Sequence, residues 1–106
     1  MSDMKYQLVL QFPGESLDDF DQLIKLEDNI AAILQQQADV DGHDFGSGEA
    51  NIFILTNEPA TVFERLVSLL ETTSKPRLSA AAYRDFDGED YTVLWPVGSQ
   101  KKFQII

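Results

Sequence analysis

Cysteine is absent from this 106-residue chain, so a disulfide framework and thiolate chemistry are both closed to it. Histidine occurs once. A transition-metal site usually wants two or more His or Cys ligands, which leaves only a His43, Asp41, Asp44 and Glu49 set and implies no metal or other cofactor. Cations are scarce. Eight Lys and Arg stand against 18 Asp and Glu, a net charge of −10. That balance repels nucleic acid and anionic membranes and favours basic partners. The longest apolar run, residues 30–34, is far too short to span a bilayer. The opening Met1-Ser2-Asp3-Met4-Lys5 lacks a signal peptide's charged and apolar regions, so a cytoplasmic location is expected.

What is present reads as one folded domain over residues 1–106, with 43% hydrophobic and 25% charged residues. Residues 5–12 alternate, with Tyr6, Leu8, Leu10 and Phe12 on one side, which predicts a half-buried strand ended by Pro13-Gly14. Ser16 is a good helix N-cap, and Asp18 and Asp19 suit a first turn. The helix is predicted to run to about residue 37 with a stripe of Phe20, Leu23, Ile30, Ala31 and Leu34. A short strand over 40–45, a Gly46-Ser47-Gly48 turn and a strand over 49–56 follow. Asn57 is the expected cap of a second helix with Pro59 in its first turn and a stripe of Val62, Phe63, Leu66, Val67 and Leu70. Strands over 77–86 and 91–95 flank an Asp87-Gly88-Glu89-Asp90 turn, and residues 101–106 are a candidate edge strand. The order predicts an α+β, ferredoxin-like βαββαβ sandwich: an antiparallel sheet, two helices on one face and a C-terminal β extension.

The pattern D-x-D-G-x-D occurs at residues 39–44 and again at 85–90. Neither repeat fits an EF-hand. Gly42 at loop position 6 puts Gln37 at position 1 and Gly48 at 12, and Gly88 there puts Tyr83 and Leu94 in those places. In the expected topology the acids Asp39, Asp41, Glu58, Asp85, Asp87, Glu89 and Asp90 crowd one pole. The two repeats would lie toward opposite sheet edges, about 14 Å apart. Glu27 falls inside the first helix's apolar stripe, where a carboxylate needs a partner. The Gly46-Ser47-Gly48 turn, Arg84 and His43 are its candidates, so Glu27, His43 and Ser47 are expected to be structural polar groups. RNA recognition by this topology needs a basic-Gly-aromatic strand signature that residues 49–55 lack. The sheet face away from the helices should carry Val9 together with Tyr83 or Trp95, an apolar patch open to a homodimer partner, the chain's tail or a ligand.

Across Val40-Asp41-Gly42-His43-Asp44-Phe45-Gly46-Ser47-Gly48-Glu49-Ala50-Asn51-Ile52-Phe53-Ile54, with Tyr91-Thr92-Val93-Leu94-Trp95-Pro96, the chain resembles an uncharacterised bacterial family of small ferredoxin-like proteins. The resemblance implies a fold and a bacterial source, and no activity. In topology the chain is also similar to ACT-type regulatory domains, whose glycine-containing first loop is matched here by Pro13-Gly14.

Small size, strong acidity and the lack of a convergent catalytic set point to a non-enzymatic protein that binds a basic protein, as immunity and antitoxin proteins do. Asp39, Asp41, Asp44, Glu49, Asp87, Glu89 and Asp90 would steer, with Tyr91 or Trp95 as hot spot. The alternatives are an ACT-like small-molecule sensor and a dimeric α/β-barrel enzyme with a cleft near Trp95, Tyr83 and His43.

Overall fold

Alternation at the start of the chain produces strand β1 (Tyr6–Pro13), which hydrogen-bonds to a neighbour on each edge. A computed structural model describes residues 4–14, 17–35, 37–46, 48–72 and 77–96. Ser16, Ser47 and the candidate strand at 101–106 lie outside them. A central strand is enclosed on both faces, so β1 is buried from Leu8 to Phe12 rather than half-buried. Its one polar member in that run, Gln11, donates from Nε2 to Oδ1 of the buried Asn51 at 3.2 Å.

Helix α1 (Leu17–Leu34) carries Asp18 and Asp19 in its first turn, where the dipole favours them. Its buried seam is Leu23, Leu26, Ile30 and Leu34, spaced three, four and four residues apart. Ala31, expected in the stripe, is exposed, and Leu26 takes its place. The helix stops at Leu34 instead of about residue 37. Gln35 turns left-handed (φ 48°) while its N–H still donates to Ala31 O, and Gln37 N–H donates to Leu34 O, both at 2.9 Å. Arg65 closes this end from the next helix: Nη2 donates to Ile33 O at 3.1 Å and Nη1 to the Gln37 side chain.

Strand β2 (Asp39–Gly46) pairs antiparallel with β3 (Glu49–Thr56), which pairs with β1. Helix α2 (Pro59–Thr72) opens on Pro59, whose missing N–H costs nothing in a first turn. Asn57 is not its cap: its Oδ1 accepts from Lys5 N, and the helix begins with Val62 N–H donating to Glu58 O. Pro59, Val62, Phe63, Leu66 and Leu70 are buried, as the stripe predicts for all but the half-buried Val67.

Strand β4 (Ala80–Asp85) lies along the free edge of β1, and β5 (Thr92–Trp95) along β4. The order is β2-β3-β1-β4-β5, all antiparallel. This α+β arrangement of an open five-stranded sheet and two helices is compatible with a small ferredoxin-like fold. Both helices meet Leu8, Leu10, Phe12, Ala50, Ile52 and Ile54 in one core on a single sheet face.

Gln35 generates a direct test. A left-handed residue with a Cβ costs roughly 1–2 kcal/mol relative to a right-handed one. Gln35→Gly is expected to raise stability by roughly 0.5–1 kcal/mol once the extra chain entropy of glycine is deducted, as read by urea unfolding.

Candidate functional site

The sheet register decides which residues share an end. Tyr6 of β1 lies level with Thr56 of β3 and Asp85 of β4, and Asp39 opposes Leu55. The end of α1, the start of α2 and the β4–β5 turn therefore gather at one pole, as the topology predicted. Asp39, Glu58, Asp85, Asp87, Glu89 and Asp90 are all exposed there, and none forms an ion pair among the described residues. Asp39 on β2 and Asp85 on β4 are three strands apart, about 14 Å.

The β4–β5 turn is held from inside by Arg84. Its Nη1 donates to the carbonyls of Asp85 (3.1 Å), Phe86 (2.9 Å) and Gly88 (3.1 Å), and its guanidinium carbon stands 6.0 Å from the Tyr91 ring centroid. Phe86 N–H donates to Lys5 O at 2.7 Å and Gly88 N–H to Asp85 O at 2.8 Å. A guanidinium thus occupies the carbonyls that a cation would use in such a turn. Phe86, in contrast, projects: it is 53% exposed, the one large hydrophobic side chain so placed among the described residues. Sequence reasoning passed over it. The available signal was an aromatic residue flanked on both sides by Asp.

The first D-x-D-G-x-D repeat lies within edge strand β2, as the strand expected over 40–45 requires, and the register shift between Val40 and Gly42 leaves Asp41 in a bulge. Gly42 takes φ 146° at this point, a backbone that side-chain-bearing residues rarely adopt. Asp44 lies opposite Asn51, and Glu49 opposite Pro13, toward the far end of the sheet from Asp39. One Glu49 oxygen, Oε2, is buried with no hydrogen-bond partner. The nine residues expected to bind a partner are therefore divided: Asp39, Asp87, Glu89 and Asp90 share the pole, Asp41 sits in the β2 bulge two residues from Asp39, Tyr91 lies half-buried beneath Arg84, and Asp44, Glu49 and Trp95 lie away from it.

Glu27 takes His43 as its partner, one of the three anticipated. His43 Nδ1 is 3.1 and 3.3 Å from the two carboxylate oxygens, with 30% of the histidine and 16% of the glutamate side chain exposed. Phe20 stands edge-on to His43 (5.6 Å between centroids) and to Phe45 (5.4 Å). The pair and its aromatic neighbours clip α1 to edge strand β2. Among the described residues no three His, Cys, Asp or Glu side chains are grouped to hold a metal ion. Gly14, the match to an ACT-type loop, has a packing reason: a Cβ there would come within 2.9 Å of the Phe45 ring.

On the sheet face away from the helices, Val9 and Ala82 are fully buried among Phe53, Ala80, Tyr91 and Val93. Tyr83 and Trp95, one or the other of which was expected on that face, both pack against the helix-side core instead. Tyr83 follows Leu8, its register partner, and a shift between Ala81 and Ala82 returns Trp95 to that side. Trp95 there closes a cavity with α2 and the segment entering β4.

No family model, curated protein or solved structure matches this chain. No helix among the described residues is long and apolar enough to cross a membrane.

Because one half-buried guanidinium holds three turn carbonyls, Arg84→Ala is expected to lower stability by about 1.5–3 kcal/mol. Amide exchange at Phe86 and Gly88 should accelerate more than exchange in β1, which separates a loosened turn from global unfolding.

Proposed function

We propose that this chain is a non-catalytic interaction protein that docks its acidic pole on a basic protein surface, as small immunity and antitoxin proteins do. The observation that supports it is the exposed Phe86 at the centre of unpaired carboxylates: Asp85, Asp87, Glu89 and Asp90 on its own turn, with Asp39 and Glu58 at the same end. An aromatic anchor ringed by charge is the composition of a binding hot spot, in which the ring supplies burial and the charges supply encounter rate and orientation. The turn is also preorganised. Arg84 and Lys5 O fix the backbone on both sides of Phe86, so little loop ordering remains to oppose association. A net charge of −10 extends the attraction beyond contact range at low ionic strength.

The fold in this reading is a ferredoxin-like βαββαβ sandwich in which β5 is the C-terminal extension. The strand order and the shared helix-side core support it. Phe86 replaces Tyr91 and Trp95 as the anchor, because Tyr91 lies beneath Arg84 and Trp95 stands at the other end of β5's pairing. Absence of cysteine accords with a cytoplasmic location.

The test is affinity capture from host lysate with three baits: the natural chain, Phe86→Ala, and the triple variant Asp87→Asn/Glu89→Gln/Asp90→Asn. A basic protein should be retained stoichiometrically by the natural chain at low salt and released as salt rises. Phe86→Ala should weaken retention by at least about 1 kcal/mol, and the triple variant should flatten the salt dependence. A partner held equally by all three baits, or without salt dependence, would place the interface elsewhere.

A further inference from the structure

We propose that the cavity between α2 and the β4–β5 edge binds a small zwitterion: a free α-amino acid with a large apolar side chain. The cavity opens to solvent and holds about 480 Å³, inside the roughly 300–1,000 Å³ range of small-molecule sites. Phe63, Val67 and Leu70 form one wall, spaced i, i+4, i+7 along a single stripe of α2. Leu78 and Trp95 complete the apolar lining.

Among the described residues, the rest of the lining is one carboxylate and one guanidinium, Glu71 and Arg77. Both residues are exposed, and among the described residues neither side chain makes an ion pair or a hydrogen bond. Two opposite charges that border one apolar cavity and leave each other unpaired are complementary to a ligand carrying both signs. Arg77 offers a planar fork to a carboxylate, and Glu71 accepts from an ammonium. A simple carboxylic acid would leave Glu71 unanswered and would approach against the chain's net charge of −10. A simple amine would leave Arg77 unanswered, and a purely apolar molecule would leave both.

This site does not rest on the acidic pole. Trp95 lies level with Ala81 and Leu10, whereas Asp85 lies level with Tyr6, four residues farther along β1. Ligand binding and partner binding can therefore fail separately.

Trp95 is the sole tryptophan, so its fluorescence reports occupancy of the cavity it lines. The full chain is titrated with L-phenylalanine, L-leucine, phenylacetate and phenethylamine, by Trp95 emission and by calorimetry. The two amino acids are expected to give saturable binding, with each single-charge analogue weaker by about tenfold or more. Arg77→Ala and Glu71→Gln should each weaken L-phenylalanine by about tenfold with unchanged far-UV circular dichroism. No saturable binding of either amino acid by either method overturns the proposal. So does equal binding of phenylacetate or phenethylamine, or natural affinity in both variants.

Discussion

Strand β1 is hydrogen-bonded along both edges and enclosed on both faces, and every other element takes its position from it. Its pairing with β3 and β4 leaves no room on either side for the helices that connect the neighbouring strands, so α1 and α2 cross over the face that Leu8, Leu10 and Phe12 present. The same register then sets the ends of the molecule. Tyr6, Thr56 and Asp85 lie level, which brings the close of α1, the opening of α2 and the β4–β5 turn to one pole. The distribution of charge over the surface is thus a consequence of strand register. A two-residue slip of β4 would carry the Asp85–Asp90 acids away from Asp39 and Glu58.

Few cations are available to neutralise that pole, and two of them are already engaged. Arg65 donates to Ile33 O and the Gln37 side chain, where α1 ends without glycine; Arg84 donates to three carbonyls of the β4–β5 turn. Both guanidiniums are spent on backbone or amide oxygens rather than on carboxylates. Arginine suits this work because its fork reaches several acceptors at once, where an ammonium acts as a point charge. The carboxylates nearby are left exposed and unpaired. The turn that carries most of them is stiffened, and Phe86 stands out from it on a fixed backbone. Order within the turn and free charge on its surface arise from the same side chain.

Much of the fold was legible because it rests on periodicity. Alternation in β1, the seam of α2, the β2–β3 hairpin and the crowding of acids at one pole all follow from spacing that hydrophobic burial enforces. Glu27 was legible for a related reason: a carboxylate in an apolar stripe must find a partner, and His43 was within the small set that topology allowed. The misses have a different origin. The end of α1 depends on Gln35 accepting a left-handed backbone, which no periodic signal marks. The strand over 40–45 was legible, but the bulge that sets Asp41 out of register within it was not, because a bulge breaks the alternation that identifies strands. Arg84 was weighed as a partner for Glu27, but its acceptors are main-chain oxygens, and every residue carries one of those. Phe86 was overlooked because apolar residues are read as core by default, and its exposure follows from the path of the turn.

The two ends of the sheet make different electrostatic demands, and one constraint links them. A chain with a net charge of −10 attracts cations everywhere and repels anions everywhere, so charge alone gives the pole little selectivity among basic surfaces. Selectivity requires a shape element, and a rigidly mounted phenylalanine supplies one at the pole. At the α2–β5 end the same field works against any anionic ligand that Arg77 alone would favour. A zwitterion carries no net charge, so the long-range field neither draws it in nor turns it away, and the local pair Glu71 and Arg77 is left to orient it over the apolar wall. On the proposed function, the acidity that would speed encounter with a basic partner also disfavours anionic ligands at the cavity, which leaves a zwitterion as the ligand the long-range field does not oppose.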